Sequence, residues 1–469
     1  MKTFIYSLVF SLGLSLQIFA QYGSSGSVDP RGMSMAKTYN AASSGIYAVG
    51  INPANMMFSS DKHFELSTVF PLPSISMRAG TNFMSFTDFN YFFGGENGNA
   101  RILTPADKIR LSNLFNNSGN VFADLSLNEF SAMYKSAPNI GAFAFTMADY
   151  ISISFTVPRS LVDLSLNGNP NNQIYSFNDA STKSWWIREY SFSYARELPE
   201  INQKIFDKIA AGISFKLVNG FSYVGVDHVN TTLGTGASNQ INGNADMVAL
   251  MAFSPSFGKV YDFDSSDSKS SMGPFPKAAG SGLGIDLGVS ASMDKVWRFA
   301  LSITDIGSIK WDQNTAQYSA SGNFTVNDLT NKDQLDSVKD KMIGKGAFNS
   351  GFTTNLPTAL RAGASYILDG VVPGTMLLAF DYNQGFNDSP GNSKTPRFSI
   401  GTDWSPFGWI NLRTGFTVGG IDGFGWAVGI GFDTGALEFN FATSEMGQIV
   451  SGNDADRFTV SFGSRWKIN

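Results

Sequence analysis

The sequence predicts an all-β fold: a transmembrane antiparallel β-barrel of about 14 strands, with an N-terminal hatch in its lumen and short extramembrane helices. Three observations predict it. The chain opens with a secretory leader, apolar residues then alternate at period two, and large side chains share one face of each strand while small or polar ones share the other.

Composition narrows the classes first. Of 469 residues, 43% are hydrophobic, 14% aromatic and only 15% charged, where an ordinary soluble protein carries roughly 25% charge. That excludes a disordered chain, and 17 prolines without a three-residue glycine period exclude collagen. A net charge of −5 leaves no basic footprint for nucleic acid. No cysteine is present, and His63 and His228 are the only histidines, so thiolate metal sites are impossible and histidine chemistry has little material.

Lys2, the apolar run from Phe4 to Leu16 and Gln17-Ile18-Phe19-Ala20 form the charged, apolar and cleavage regions of a leader, which predicts cutting after Ala20. Beyond it no run of 18 apolar residues occurs, so the chain does not cross a membrane with helices. Export without cysteine fits a bacterium.

Strand alternation is clearest near the C-terminus. Phe424, Trp426, Val428, Ile430 and Phe432 oppose Gly423, Gly425, Ala427, Gly429 and Gly431, an order that only a strand produces. Leu437, Phe439 and Phe441 oppose Glu438, Asn440 and Ala442, and Phe458, Val460 and Phe462 oppose Arg457, Thr459 and Ser461. From Phe143 to Val157 the odd positions are apolar except Asp149. A soluble sandwich would leave its second face charged and wet. Here that face is Gly, Ala, Ser and Thr with isolated charges, the pattern of a wall with lipid outside and a lumen inside. Trp404, Trp409 and Trp466 fall at strand ends, where an interfacial girdle would place them.

Fifteen segments read as strands: 63–80, 121–135, 139–157, 185–197, 208–226, 240–254, 281–293, 296–304, 357–367, 376–384, 395–404, 409–417, 423–432, 435–443 and 457–467. Bacterial single-chain barrels use even numbers, so fourteen is favoured, with one segment split or outside the wall. The organisation is a signal peptide over 1–20, a hatch over 21–60 and a barrel over 61–469 with helical inserts at 104–118 and 325–344. The first insert has Thr104-Pro105 as cap and first-turn residue, then Ile109, Leu111, Leu114 and Phe115 at helical spacing. Met33, Met35, Ile46, Tyr47, Val49, Ile51, Met56, Met57 and Phe58 make 21–60 too apolar to be left in water, which predicts a plug.

The stretch DPRGMSMAKTYNAASSGIYAVGINPANM, residues 29–56, resembles the hatch of the FadL-type long-chain fatty-acid transporter superfamily, with Arg31, Gly32 and Met33 at its start and Asn52, Pro53 and Ala54 at its end. GSGLGIDLGVSASMDKVWRFALSITDIGSIKW, residues 280–311, resembles a subgroup near the type IX secretion shuttle barrel. The resemblance implies a fourteen-stranded barrel of the bacterial outer membrane. It also implies either passage of hydrophobic compounds or partnership with secretion machinery. The ending Arg465-Trp466-Lys467-Ile468-Asn469 departs from the terminal aromatic residue of such barrels.

No enzyme is expected: no G-x-S-x-G elbow is present, so catalytic residues and cofactors are none. Gly280, Gly282 and Gly284 begin like a dinucleotide loop, but Ile285 stands where its third glycine belongs, so they read as small lumen-facing residues. Asp262, Asp264 and Asp267 miss EF-hand spacing and read as a solvated loop, so no metal is expected. Arg361, Arg413 and Arg457 share the polar face with Asp381, Asp403 and Glu438. Their expected use is mutual pairing. The functional alternative is that they, with Arg31, fork onto an anionic head group.

Two functions follow. The first is a barrel that binds or passes a hydrophobic or amphipathic small molecule, gated by the hatch, with a lipid-sized apolar pocket. The alternative is a non-transporting subunit that holds a protein partner in an outer-membrane complex, with a sealed lumen and an aromatic patch on its loops. A soluble adhesin-like sandwich is the third reading. Outer-membrane lipid is the expected surrounding partner.

Overall fold

The computed structural model describes residues 29–58, 62–96, 98–198, 205–236, 238–258, 273, 275–327, 332–334, 336, 345–421 and 423–469. The predicted leader, the acidic loop with Asp262, Asp264 and Asp267, and most of the second helical insert lie outside the described residues.

Fourteen antiparallel strands form the wall. They are β1 (Phe64–Thr68 and Ser74–Thr81), β2 (Ser118–Lys135), β3 (Ala142–Pro158), β4 (Ser181–Glu197), β5 (Lys208–Val229), β6 (Gly280–Met293), β7 (Trp297–Trp311), β8 (Ala359–Asp369), β9 (Thr375–Gly385), β10 (Arg397–Ser405), β11 (Ile410–Gly419), β12 (Gly425–Asp433), β13 (Leu437–Thr443) and β14 (Arg457–Ile468). Each pairs with its sequence neighbour in the wall, and β14 closes the ring on β1. Closure removes both sheet edges, so every wall strand finds backbone partners on two sides, as a bilayer demands.

The fourteen wall strands coincide with fourteen of the fifteen predicted segments. The fifteenth, 240–254, forms Ile241–Phe253, which pairs with the upper end of β5 outside the ring. Thr315–Val326, which the alternation did not reveal, pairs with it and with Lys345–Phe348 in the same side sheet.

Alternation sorts the faces as lipid requires. Leu283, Val289, Phe299, Phe380, Phe398, Phe416 and Phe458 point outward and are exposed, while their sequence neighbours Gly284, Gly288, Ala300, Ala379, Ser399, Gly415 and Thr459 point into the lumen. One rim carries tight turns. That between β6 and β7 places Asp294 and Lys295 at φ 52° and 59°, the paired positive values of a hairpin turn matched to strand twist. Trp297, Trp404, Trp409 and Trp466 all lie near this rim. The long connections, 82–117, 159–180, 230–279 and 312–358, emerge at the other rim. In bacterial outer-membrane barrels the short-turn rim is the periplasmic one.

Residues 29–58 fill the lumen as a hatch. Their first helix, α1 (Pro30–Ser34), is capped by Asp29, whose carboxylate accepts the Arg31 amide at 2.9 Å, with Pro30 in the first turn where no N–H is needed. At the outer rim α2 (Phe86–Phe93), α3 (Pro105–Leu114) and α4 (Arg159–Asn167) pack around Met84, Phe92, Leu111 and Phe115, while α5 (Met446–Ser451) precedes β14. Thr104 and Asp107 form a reciprocal capping box on α3. Of the spaced apolar residues, Leu111 and Phe115 are buried and Ile109 faces water. Phe86, Phe89 and Phe93 lie along one exposed face of α2.

Candidate functional site

The lumen is built in three layers. The lowest, nearest the short-turn rim, is the hatch bolted to the wall by charge-assisted hydrogen bonds. Asp381 of β9 accepts the amides of Tyr39 and Asn40 at 2.5 and 2.6 Å, and Glu65 of β1 accepts that of Ile46 at 2.8 Å. Lys208 donates to the Met57 carbonyl at 2.9 Å, and Arg298 to that of Ser43 at 3.0 Å. A plug without regular sheet or long helix leaves many backbone groups unmatched, and the wall's charges match them.

The hatch motif residues take distinct places in this layer. Asn52 donates to the carbonyls of Val289 and Leu301, each at 3.2 Å, joining the hatch to β6 and β7. Its own Oδ1 accepts the Ala54 amide at 3.1 Å and turns the chain into the short helix Pro53–Phe58. Gly32, Met33, Pro53 and Ala54 are buried. Arg31 reaches Asp403 at 3.2 Å and Glu438 at 3.6 Å. Asp403 also meets Arg413 at 2.9 Å, and Glu438 meets Arg465 at 2.5 Å, so hatch and wall share one ion network.

The middle layer lies directly above. Lys216 of β5 is completely enclosed and surrounded by three carboxylates: Glu189 of β4 at 3.4 Å, Asp286 of β6 at 3.1 Å, and Asp305 of β7 closer still. A register shift between β6 and β7 places the two aspartates side by side, with Asp305 at φ 60° and its amide donating to Asp286 at 2.7 Å. Beside this cluster is a cavity of about 90 Å³. Ile46, Tyr47, Val49 and Ile51 of the hatch form its floor, and Glu189, Ser191, Lys216, Asp305 and Arg361 line its wall. The Ser191 hydroxyl and the Tyr47 phenol lie buried here without a hydrogen-bond partner among the described residues.

The third layer is an apolar roof. Trp185, Ile187, Val218, Ile309, Trp311 and Leu356 are fully buried against one another, with Tyr223 and Phe352 beside them. Its shape explains the glycines of β6. A side chain at Gly280 would strike Trp311, one at Gly282 would strike Ile309, and one at Gly284 would strike Leu356. They are lumen-facing, and they make room for the roof.

The four candidate arginines therefore separate. Arg31 and Arg413 belong to the hatch network, Arg361 borders the cavity, and Arg457 lies at the far end of β14 beside Glu445 at 3.6 Å and Asp456 at 3.2 Å. Lys216, Asp286, Asp305 and Glu189 were not singled out by sequence reasoning, although each is a lone charge on a small-residue face. One further cluster lies outside the ring. Asp149 and Arg188 share the lipid-facing side with Phe143 and Phe192, joined by two bonds of 2.7 and 2.8 Å, with Glu129 3.1 Å from the guanidinium.

Residues 53–444 match DUF5723, described as a family of unknown function. The chain belongs to that family. No curated protein matches this DUF5723 chain. Among solved structures it is similar to the Pseudomonas putida toluene transporter TodX, at 12% identity over 93% of this chain and 95% of that one, with a TM-score of 0.44. It is also similar to the Ralstonia pickettii toluene transporter TbuX, at 10% identity over 94% and 98%, with a TM-score of 0.46. A Pseudomonas aeruginosa FadL homologue matches at 11% identity over 96% and 100%, with a TM-score of 0.48.

Proposed function

We propose that this protein is a non-enzymatic barrel of the bacterial outer membrane that binds and passes a small amphipathic molecule, with the hatch as its gate. The observation that carries the reading is the cavity between hatch and wall. Its floor of Ile46, Val49 and Ile51 suits an apolar body, and its wall of Glu189, Ser191, Lys216, Asp305 and Arg361 suits a polar head. A wholly hydrophobic cargo would leave the Ser191 hydroxyl, buried here without a hydrogen-bond partner among the described residues, still unmatched, which is costly. Of the four arginines, Arg361 faces the cargo, whereas Arg31 and Arg413 lock the hatch and Arg457 braces the outer rim.

Movement of the hatch is needed for passage, because the layer below the cavity is packed. The ion network around Arg31 is the natural release point, since charged pairs exchange for water more readily than a close-packed apolar face.

Native mass spectrometry of the protein extracted from its own membrane in mild detergent tests the reading. A small-molecule adduct is expected in the wild type and lost in Ser191→Phe, which fills the cavity. A wild-type protein without adduct that also fails to move any amphipathic probe across a liposome membrane would sink the proposal.

A further inference from the structure

Resting on that reading, we propose that the head group taken by the cavity is a protonated amine and not a carboxylate. The argument is a count of donors and charges. Lys216 looks like an anion-binding residue, but an ammonium has three N–H donors, and three carboxylates already surround it. It has no donor to offer a fourth anion. The fold goes out of its way to build this arrangement: the register shift between β6 and β7 and the left-handed backbone at Asp305 bring Asp286 and Asp305 together on the same ammonium.

The remaining groups point the same way. Lys216 and Arg361 are the two cations of the cavity lining, while Asp29, Glu189 and Asp305 line it as well and Asp286 stands directly behind Lys216. Three carboxylates and two cations line the cavity, and a further carboxylate, Asp286, backs Lys216. Between the hatch and the buried Trp311 cluster, that imbalance is damped less than it would be in bulk water. An arriving carboxylate would be repelled by the set, and an arriving ammonium would complete it. The Ser191 hydroxyl and the Tyr47 phenol, both buried and without a hydrogen-bond partner among the described residues, supply oxygen acceptors that an N–H donor can use. Ile46, Val49 and Ile51 then hold the short apolar tail.

The test compares three probes with the same tail: hexylamine, hexanol and hexanoate, titrated calorimetrically at pH 7 into the intact protein in mild detergent. Each is soluble enough to be added without forming its own micelles. Hexylamine should bind at least tenfold more tightly than hexanoate, with hexanol between them. Glu189→Gln should narrow the amine-to-carboxylate ratio at least threefold, and Ser191→Phe should abolish binding of all three. The three-way ratio in the wild type decides without any variant. Hexanoate binding as tightly as hexylamine overturns the amine assignment and leaves the transport reading standing. No binding by any of the three overturns both.

Discussion

Arg31 of the hatch and Asp403 of the wall meet at 3.2 Å across 372 residues of sequence. Both side chains are largely withdrawn from water, and Arg413 holds the second side of Asp403. Removing one member of a buried ion set costs roughly 3–5 kcal/mol, because the remaining charge is left uncompensated. Arg31→Met should therefore loosen the hatch without dissolving the barrel. Amide exchange over residues 29–58 is expected to rise by at least tenfold while exchange in β10 to β13 stays unchanged. Equal exchange in variant and wild type would show that the network does not hold the gate.

Hatch docking also depends on the absence of a side chain. A Cβ added at Gly212 of β5 would lie 2.4 Å from the Ala54 amide nitrogen and 2.5 Å from the Pro53 carbonyl carbon, both backbone atoms that cannot swing aside. Gly212→Val should expel the Pro53–Phe58 turn and expose residues 29–58 to protease. The barrel itself should still migrate as a folded, heat-modifiable species in gels. A protected hatch in this variant would show that the turn can dock elsewhere.

The wall was legible in sequence because lipid imposes one rule on every strand: Leu378, Phe380 and Tyr382 must alternate with small or polar residues wherever they lie in the fold. The same rule could not say which of the fifteen segments lies outside the wall, since the side-sheet strand Ile241–Phe253 alternates as well as a wall strand and pairing partners leave no local mark. The middle layer was hidden for another reason. Lys216, Asp286 and Asp305 come from three strands, and a register shift brings them together. Asp149 was visible as an interruption of the outward face, and its partner Arg188 comes from the neighbouring strand.

That outward pair yields a prediction about lipid. Arg188 grips Asp149 through two bonds and lies over the rings of Phe221 and Phe275 at 5.6 and 5.3 Å, so the charges are covered from the bilayer. Arg188→Leu alone leaves Asp149 and Glu129 without their shared cation and should destabilise the barrel by roughly 3–5 kcal/mol. The triple replacement of Glu129, Asp149 and Arg188 by leucine should recover most of that loss, since an apolar outer face is what lipid favours. Denaturant titration in detergent compares them. A triple variant no more stable than the single one would mean that the cluster does more than tolerate its position.

The first helical insert offers a pH test away from the membrane. Asp107 accepts hydrogen bonds from the Thr104 hydroxyl and amide and from the Tyr91 phenol, which hold its carboxyl below its ordinary value of 3.8. The folded cap therefore favours the ionised form. Its contribution is complete above that ordinary value and disappears as the pH falls through the depressed one. Pepsin digestion across the acid range should cut residues 104–118 faster at the lowest pH, and Thr104→Val should move the onset of cutting to higher pH. An onset unaffected by that substitution would separate the insert's stability from its cap.

The roof and the hatch are two closures in series, and they should fail differently. Trp311 is fully buried, donates its indole N–H to Thr354 at 2.9 Å and fills the space that Gly220 and Gly280 leave open. Trp311→Ala removes a large buried ring, which costs roughly 3–5 kcal/mol including the cavity left behind. The widened lumen is still closed below by the hatch, so the variant should lose thermal stability and yet conduct no ions across a planar bilayer. Combining it with Arg31→Met opens both closures, and conductance should appear only in that pair. Conductance from the roof variant alone would mean that the hatch does not seal the lumen and that the upper cluster is the true barrier.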